Sequence, residues 1–319
     1  MIYSRIVGTG SYLPQKVLTN EDLVKIVDTS DTWIIERTGI KSRHIVAEKE
    51  NSATMAKIAA QHALETSGID KKAIGLIIVA TCTPYQLFPN VASFLQQALD
   101  MTDTECPAFD INVVCSGFIY ALSIADKYVK SGMINYALVV GVDCLSKVVD
   151  WTDRSTCILF ADGAGAVILG KDNEPGIYST HLHANGSYND LLYLDGNIYN
   201  KEPNLRIKMH GNSVFKVAVT KLDEVVEETL SHNNISKDQI DWLIPHQANL
   251  RIIEATAKRL GLPMDKVILT LGNQGNTSAA SVPLALDIGV QDGRVKRGNL
   301  LLLEAFGAGF CWGAALVKY

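Results

Sequence analysis

Pro107-Ala-Phe-Asp-Ile-Asn-Val-Val114, then Cys115, then Ser116-Gly-Phe-Ile-Tyr-Ala-Leu-Ser-Ile-Ala125 is the stretch on which the reading of this chain turns. The first run reads as a strand and the second as a helix that continues to Ser131 and is ended by Gly132. That junction puts Cys115 at a helix N-terminus, where unpaired N–H groups and the helix dipole favour a thiolate and predict a lowered pKa. The same N–H groups can hold an oxyanion. A buried cysteine packed as a small hydrophobe is the better account of any one such position unless other groups converge on it.

Two distant motifs offer that convergence. His246 lies in Ile244-Pro-His-Gln-Ala-Asn249 and Asn276 in Gly275-Asn-Thr-Ser-Ala-Ala-Ser281, both at loop-to-helix junctions. Taken singly, a hydrogen-bonded core histidine and an N-cap asparagine account for them. Taken with Cys115, they form a nucleophile and two hydrogen-bond donors.

The order of elements repeats along the chain. After Cys115 and its helix, Lys130-Ser-Gly132 precedes the strand-like Tyr136-Ala-Leu-Val-Val140; after Asn276 and its helix, Lys296-Arg-Gly298 precedes Asn299-Leu-Leu-Leu-Leu303. Each half closes with a Gly-Ala-Gly sequence read as a turn into a strand, Gly163-Ala-Gly165 and Gly307-Ala-Gly309, almost half the chain apart. A duplicated α/β unit follows, with halves 1–172 and 173–319, a linker near Lys171-Asp-Asn-Glu-Pro-Gly176, and the site at the seam. Further helices are predicted from Asn51 to Ser67, ended by Gly68, and from Asn90 to Leu99. The polar segment 185–209 reads as an excursion bordering the site.

Bulk properties narrow the function. The chain has 319 residues, 47% hydrophobic, with a net charge of -5, enough for a large core and poorly suited to nucleic acid. No apolar run approaches the ~18 residues of a membrane span, and Met1-Ile-Tyr-Ser-Arg5 is no signal peptide, so a cytoplasmic enzyme without a membrane partner is expected. Six cysteines, at 82, 106, 115, 144, 157 and 311, show no Cys-x-x-Cys spacing, and no metal is expected. Gly8-Thr-Gly10 invites a dinucleotide reading, but Leu13 stands at the third glycine position. His181-x-His183 lacks a further ligand cluster and reads as structural.

With these residues in hand, the chain resembles the thiolase-fold condensing enzymes, specifically the beta-ketoacyl-[acyl carrier protein] synthase III family. The resemblance rests on Val114-Cys-Ser-Gly-Phe118, on the His246 and Asn276 motifs, and on Thr29-Ser-Asp-Thr-Trp-Ile-Ile-Glu-Arg-Thr-Gly-Ile40, Asp150-Trp-Thr-Asp-Arg-Ser-Thr-Cys157 and Phe306-Gly-Ala-Gly-Phe-Cys-Trp-Gly313. Their joint occurrence in order covers the whole chain. It implies a five-layered αβαβα thiolase fold of two duplicated halves, a homodimer, and a decarboxylative Claisen condensation. Acyl-coenzyme A would load Cys115, and malonyl-[acyl carrier protein] would supply an enolate, giving a 3-oxoacyl-[acyl carrier protein] at the start of fatty acid synthesis. No cofactor is implied, because the coenzyme A thioester is a substrate.

The resemblance also assigns residues. His246 and Asn276 would stabilise the enolate, and the N–H groups of Cys115 and Ala308 would form the oxyanion hole. Trp33, Arg37 and Arg154 would hold coenzyme A, and Arg251, Lys258 and Lys216 would dock an acidic carrier protein. Phe88, reaching across the dimer, and Phe306 would bound the acyl pocket. Ala308 stands where the family often has glycine, and Val113-Val114 replace smaller residues. Thiolases carry a second catalytic cysteine in place of Asn276, and the 3-hydroxy-3-methylglutaryl synthases use a glutamate base. The alternatives are a synthase III-like acyltransferase or condensing enzyme of a secondary-metabolite pathway and, more distantly, a non-catalytic binding module.

Overall fold

Strands that are apolar along their whole length need cover on both faces, and the chain supplies it with three helical layers around two sheets. A computed structural model describes residues 2–196 and 205–319. The first sheet runs in the order Tyr3–Tyr12, Asp162–Asp172, Tyr136–Cys144, Ile74–Ala80, Ala108–Ile111. The second runs Trp242–Pro245, Leu300–Gly307, Cys311–Lys318, Ile177–Ala184. Residues 173–176 join them.

The duplication is explicit in the pairing. Ile74–Ala80 lies parallel to Tyr136–Cys144, which is antiparallel to Asp162–Asp172, itself antiparallel to Tyr3–Tyr12. Trp242–Pro245, Leu300–Gly307, Cys311–Lys318 and Ile177–Ala184 repeat that sequence of parallel, antiparallel and antiparallel pairs. Where the first sheet adds Ala108–Ile111, the second has only a parallel bridge between Leu243 and Val267.

Side-chain alternation distributes the strands between layers. Leu76 and Ile78 point to a central core with Phe118, Ile119 and Leu122, while Ile77 and Val79 point outward to Met55, Ala59 and Val91. In the second sheet Leu301 and Leu303 join the central core, and Leu302 and Leu316 pack outward with Leu222 and Val225. All four of the Leu76–Val79 side chains are 0% exposed, each such burial being worth about 1.5–3 kcal/mol. The helices Ser52–Ser67 and Val91–Ala98 cover one outside, Gly117–Lys130 and Ser281–Gln291 fill the centre, and Gly211–Asn233 with Leu250–Leu260 cover the other, completing the αβαβα thiolase fold.

The predicted helix signals hold. Asn51 accepts the N–H groups of Ala53 and Thr54, Gly68 ends that helix at φ 66°, and Asn90 caps Val91–Ala98. Gly8 and Gly10 admit the helix Ser52–Ser67: a Cβ on Gly10 would lie 2.3 Å from the Ala59 carbonyl oxygen. One sequence reading needs correction. Gly163-Ala-Gly165 lies inside the strand Asp162–Asp172 and is not a turn, because the helix Ser281–Gln291 presses on it, with a Cβ at Gly165 lying 2.7 Å from the Leu284 nitrogen. Only Gly307-Ala-Gly309 turns, with Gly309 at φ 132°.

Candidate active site

Cys115 sits in a 3-10 turn, Val114–Ser116, that leads directly into the helix Gly117–Lys130. The second half repeats this device in Ser278–Ala280 before Ser281–Gln291, and both turns open on a left-handed residue, Val114 at φ 47° and Ser278 at φ 53°. A β-branched residue in that region stores about 1–3 kcal/mol of strain that the surrounding packing must hold. Part of the hold is visible: the Ser116 hydroxyl donates to the Cys311 carbonyl at 2.6 Å, tying the turn to the hairpin of the second sheet.

His246 follows the strand Trp242–Pro245, and its backbone N–H donates to the Glu304 carbonyl at 2.8 Å. Its Nδ1 lies 2.6 Å from the Ser281 hydroxyl. Burial lowers its pKa to about 3, so the imidazole is neutral at physiological pH. Gln247 braces this corner, donating to the carbonyls of Pro245 and Ile268 and accepting from the N–H groups of Thr270 and Leu271. Asn276 bridges to Phe160 through its backbone, and its Oδ1 accepts the Ser278 N–H at 2.9 Å. Its amide NH₂ stays uncommitted among the described residues.

Cys115, His246 and Asn276 line one cavity of about 380 Å³. Trp33 and Arg37 line the same cavity, and the guanidiniums of Arg37 and Arg154 stack on the Trp33 ring at 5.0 and 4.8 Å. A second cavity of about 150 Å³ also meets Cys115 and is walled by Cys82, Leu145, Phe160, Leu192, Ile207 and Ala308. Cys115 therefore stands where a channel and a smaller, largely apolar pocket meet. The described part of the 185–209 excursion reaches both cavities through the paired strands Leu192–Asp195 and Arg206–Met209; residues 197–204 lie outside the described residues.

The remaining sequence candidates separate. Ala308 keeps an ordinary backbone beside Cys115, the positive φ falling on Gly309, so alanine in place of glycine retains its N–H without strain. Val114 lines the smaller cavity. Phe306 belongs to the larger one, edge-on to Phe310 at 4.6 Å. Phe88 lines neither cavity of its own chain: it is 85% exposed beside Leu87 at 71%, which also rules out the core-aromatic reading. Arg251 and Lys258 are exposed on one helix and Lys216 on its neighbour, with Arg251 stacked on Phe215 at 5.7 Å. His181 and His183 share Glu228, at 3.2 and 2.6 Å, and no group among the described residues could hold a metal ion.

The low thiol pKa expected for Cys115 is corrected. Burial pushes it up to about 12, because the sulfur is desolvated more strongly than the N–H groups of the helix start compensate. Three groups escaped the sequence reading. Glu304 lines the larger cavity with Oε2 unpartnered among the described residues, and burial with the nearby Asp223 raises its pKa to about 8. Asp143 accepts from Thr81, Cys82, Thr83 and the Ala279 N–H, joining the halves. Ser281 reaches His246 across 35 positions. Only the Gly275–Ser281 motif carried any signal for these, and it did not reveal the partner.

Comparison with known proteins gives a consistent result. Residues 109–186 match the family described as 3-oxoacyl-[acyl-carrier-protein (ACP)] synthase III, and residues 230–319 its C-terminal part. The chain is 58% identical over 319 residues to a beta-ketoacyl-[acyl-carrier-protein] synthase III of Shigella flexneri serotype 5b, covering 100% of both chains. It is 56% identical over the same length to the protein of that name from Coxiella burnetii, again covering 100% of both. Its fold matches the crystal structure of 3-oxoacyl-[acyl-carrier-protein] synthase III from Aquifex aeolicus with a TM-score of 0.94 at 47% identity, covering 99% of this chain and 100% of that one.

Proposed function

The chain belongs to the beta-ketoacyl-[acyl-carrier-protein] synthase III family, and we propose that Cys115, His246 and Asn276 carry its two-step chemistry. The protein is an acyltransferase: it condenses an acyl-coenzyme A primer with malonyl-[acyl carrier protein] to give a 3-oxoacyl-[acyl carrier protein], coenzyme A and carbon dioxide, the initiating step of fatty acid synthesis. The observation that carries the residue assignment is the position of Cys115 at the meeting point of the two cavities.

In the first step the Cys115 sulfur attacks the thioester carbonyl of the primer. The developing oxyanion takes N–H bonds from Cys115 and Ala308, and collapse breaks the bond to the coenzyme A sulfur. Because burial keeps Cys115 a thiol at rest, its proton leaves during the attack and ends on the departing coenzyme A sulfur. The acyl group occupies the smaller cavity, whose apolar walls and 150 Å³ size favour a short primer. Val114 and Phe160 shape it, while Phe306 bounds the channel side.

In the second step the malonyl thioester enters by the channel. Its carbonyl oxygen accepts from neutral His246 and from the Asn276 NH₂, so charge developing as carbon dioxide leaves is stabilised. The enolate carbon attacks the acyl thioester, the carbon–sulfur bond to Cys115 breaks, and the released thiolate takes up a proton from solvent. An imidazolium is not required for this step.

Trp33, Arg37 and Arg154 hold the coenzyme A nucleotide at the channel mouth, and exposed Arg251, Lys258 and Lys216 receive the acidic carrier. Exposed Leu87 and Phe88 support a homodimer in which Phe88 closes the partner's acyl pocket. A cytoplasmic location completes this reading, and no helix among the described residues is long and apolar enough to cross a membrane.

The test is the intact mass of the protein after mixing with acetyl-, isobutyryl- and longer acyl-coenzyme A. A stoichiometric adduct absent from Cys115→Ala, and discharged by malonyl carrier, is expected. Loading that survives in Cys115→Ala would remove the assignment.

A further inference from the structure

His246 meets one serine hydroxyl through Nδ1, that of Ser281 at 2.6 Å. Ser281 is 1% exposed and lines neither cavity, so its hydroxyl has no bulk water to complete its hydrogen bonding. Two partners reach the Ser281 Oγ among the described residues: His246 Nδ1 at 2.6 Å and the Gln247 backbone N–H at 3.4 Å. The Gln247 N–H can only donate, so Oγ is an acceptor towards it. If His246 carried its proton on Nδ1, Oγ would receive two donors and the serine hydrogen would have no acceptor. If Ser281 donates to a bare Nδ1, every group meeting at the Ser281 oxygen is satisfied, and the imidazole proton lies on Nε2, which has no protein partner among the described residues.

We propose that Ser281 is a positioning residue which, together with the Gln247 N–H, holds His246 in the Nε2–H tautomer and so fixes it as a hydrogen-bond donor towards the substrate. The proposal deepens the donor role given to His246 above and rests on it. It also assigns a direction to the site: with Nδ1 occupied and Nε2 protonated, His246 has no lone pair to offer Cys115 and does not take the thiol proton. Ser281 is placed for this by the helix it begins, Ser281–Gln291, which comes from the same repeat that sets Cys115 before its own helix. The hydroxyl therefore links the central helix to the end of the strand Trp242–Pro245, where the imidazole emerges.

Two measurements test it. In a long-range ¹H–¹⁵N spectrum of histidine-labelled wild type, with His246 assigned by its loss in His246→Asn, Nε2 is expected to be protonated and Nδ1 bare at pH 7; a protonated Nδ1 would overturn the proposal without touching the parent reading. In kinetics, Ser281→Ala is expected to lower kcat for condensation about 10–100-fold, leave KM for malonyl carrier within about twofold, and leave acyl loading within about threefold. Ser281→Thr, which keeps the hydroxyl, is expected to recover most of the condensation rate. Condensation within about twofold of wild type in Ser281→Ala, or equal loss of loading and condensation, would also overturn it. Should the alanine variant not fold, the wild-type spectrum decides alone; should wild type load no acyl group, the parent reading falls while the tautomer remains measurable.

Discussion

Gly307 stands against Cys115 so closely that a Cβ added to Gly307 would lie 2.9 Å from the Cys115 amide nitrogen and 3.0 Å from that of Ser116. The hairpin of the second half is thus seated directly on the Val114–Ser116 turn of the first. Because the neighbours are backbone atoms, they have no rotamer by which to yield.

Gly307→Ala is accordingly expected to displace the turn, slowing acyl loading at least about tenfold and destabilising the fold by about 1–3 kcal/mol. Stopped-flow loading with acetyl-coenzyme A and urea unfolding check the two effects. Wild-type values in both would mean that the contact is slack.

Asn276→Asp preserves the acceptor that takes the Ser278 N–H but replaces the free NH₂ by a carboxylate oxygen. Loading of Cys115 is expected to continue, whereas condensation falls about 100–1,000-fold through loss of a donor and repulsion of the enolate. Separate assays of adduct formation and 3-oxoacyl product distinguish the steps, and equal losses in both would count against a role confined to the second.

Glu304 makes stability depend on pH. Its native carboxyl stays protonated up to about 8, chiefly through burial, while the unfolded one ionises near about 4.3. Between those values the native state binds the extra proton, so this contribution is full below the lower value, shrinks as pH rises, and is gone above the upper one. Glu304→Gln cannot ionise, and its stability relative to wild type is expected to rise by roughly 3–5 kcal/mol between pH 4.5 and 8.5. Urea titrations across that range check it; parallel curves would show that the carboxylate is solvated or paired in solution.

Arg154→Ala removes one guanidinium from Trp33 at the channel mouth. KM for acyl-coenzyme A is expected to rise about tenfold with kcat nearly unchanged, the pattern of binding energy used equally in ground and transition states. An unchanged KM would place the nucleotide elsewhere.

Leu87 and Phe88 are the most exposed large apolar side chains in their segment, at 71% and 85%. The proposed homodimer, with Phe88 closing the partner's pocket, predicts that Phe88→Asp shifts sedimentation from dimer towards monomer and slows turnover. A dimer of unchanged stability would remove this segment from the interface.

Much of the architecture was legible because it depends on local pattern. Asn51, Gly68 and Asn90 mark helix ends through their own backbone chemistry, and the apolar runs at 75–80 and 300–303 announce buried strands. Cys115, His246 and Asn276, to which we assign the chemistry, stood out by residue type and setting. Gly163-Ala-Gly165 was misread because a glycine that admits a neighbouring helix looks the same in sequence as one that turns the chain. The smaller cavity was invisible, since Leu145, Phe160, Leu192 and Ile207 come from separate segments with no shared period.

The sequence by itself determined the duplicated α/β order, the helix that follows Cys115, and the residue types able to do the proposed chemistry, because each of these depends on neighbours within a few residues. Tertiary structure alone decided the protonation states and pairings. Burial sets the Cys115 thiol near 12, the His246 imidazole near 3 and the Glu304 carboxyl near 8, and the Ser281 hydroxyl meets His246 across 35 positions. Desolvation and hydrogen-bond satisfaction depend on what surrounds a group in space, and no local spacing records that.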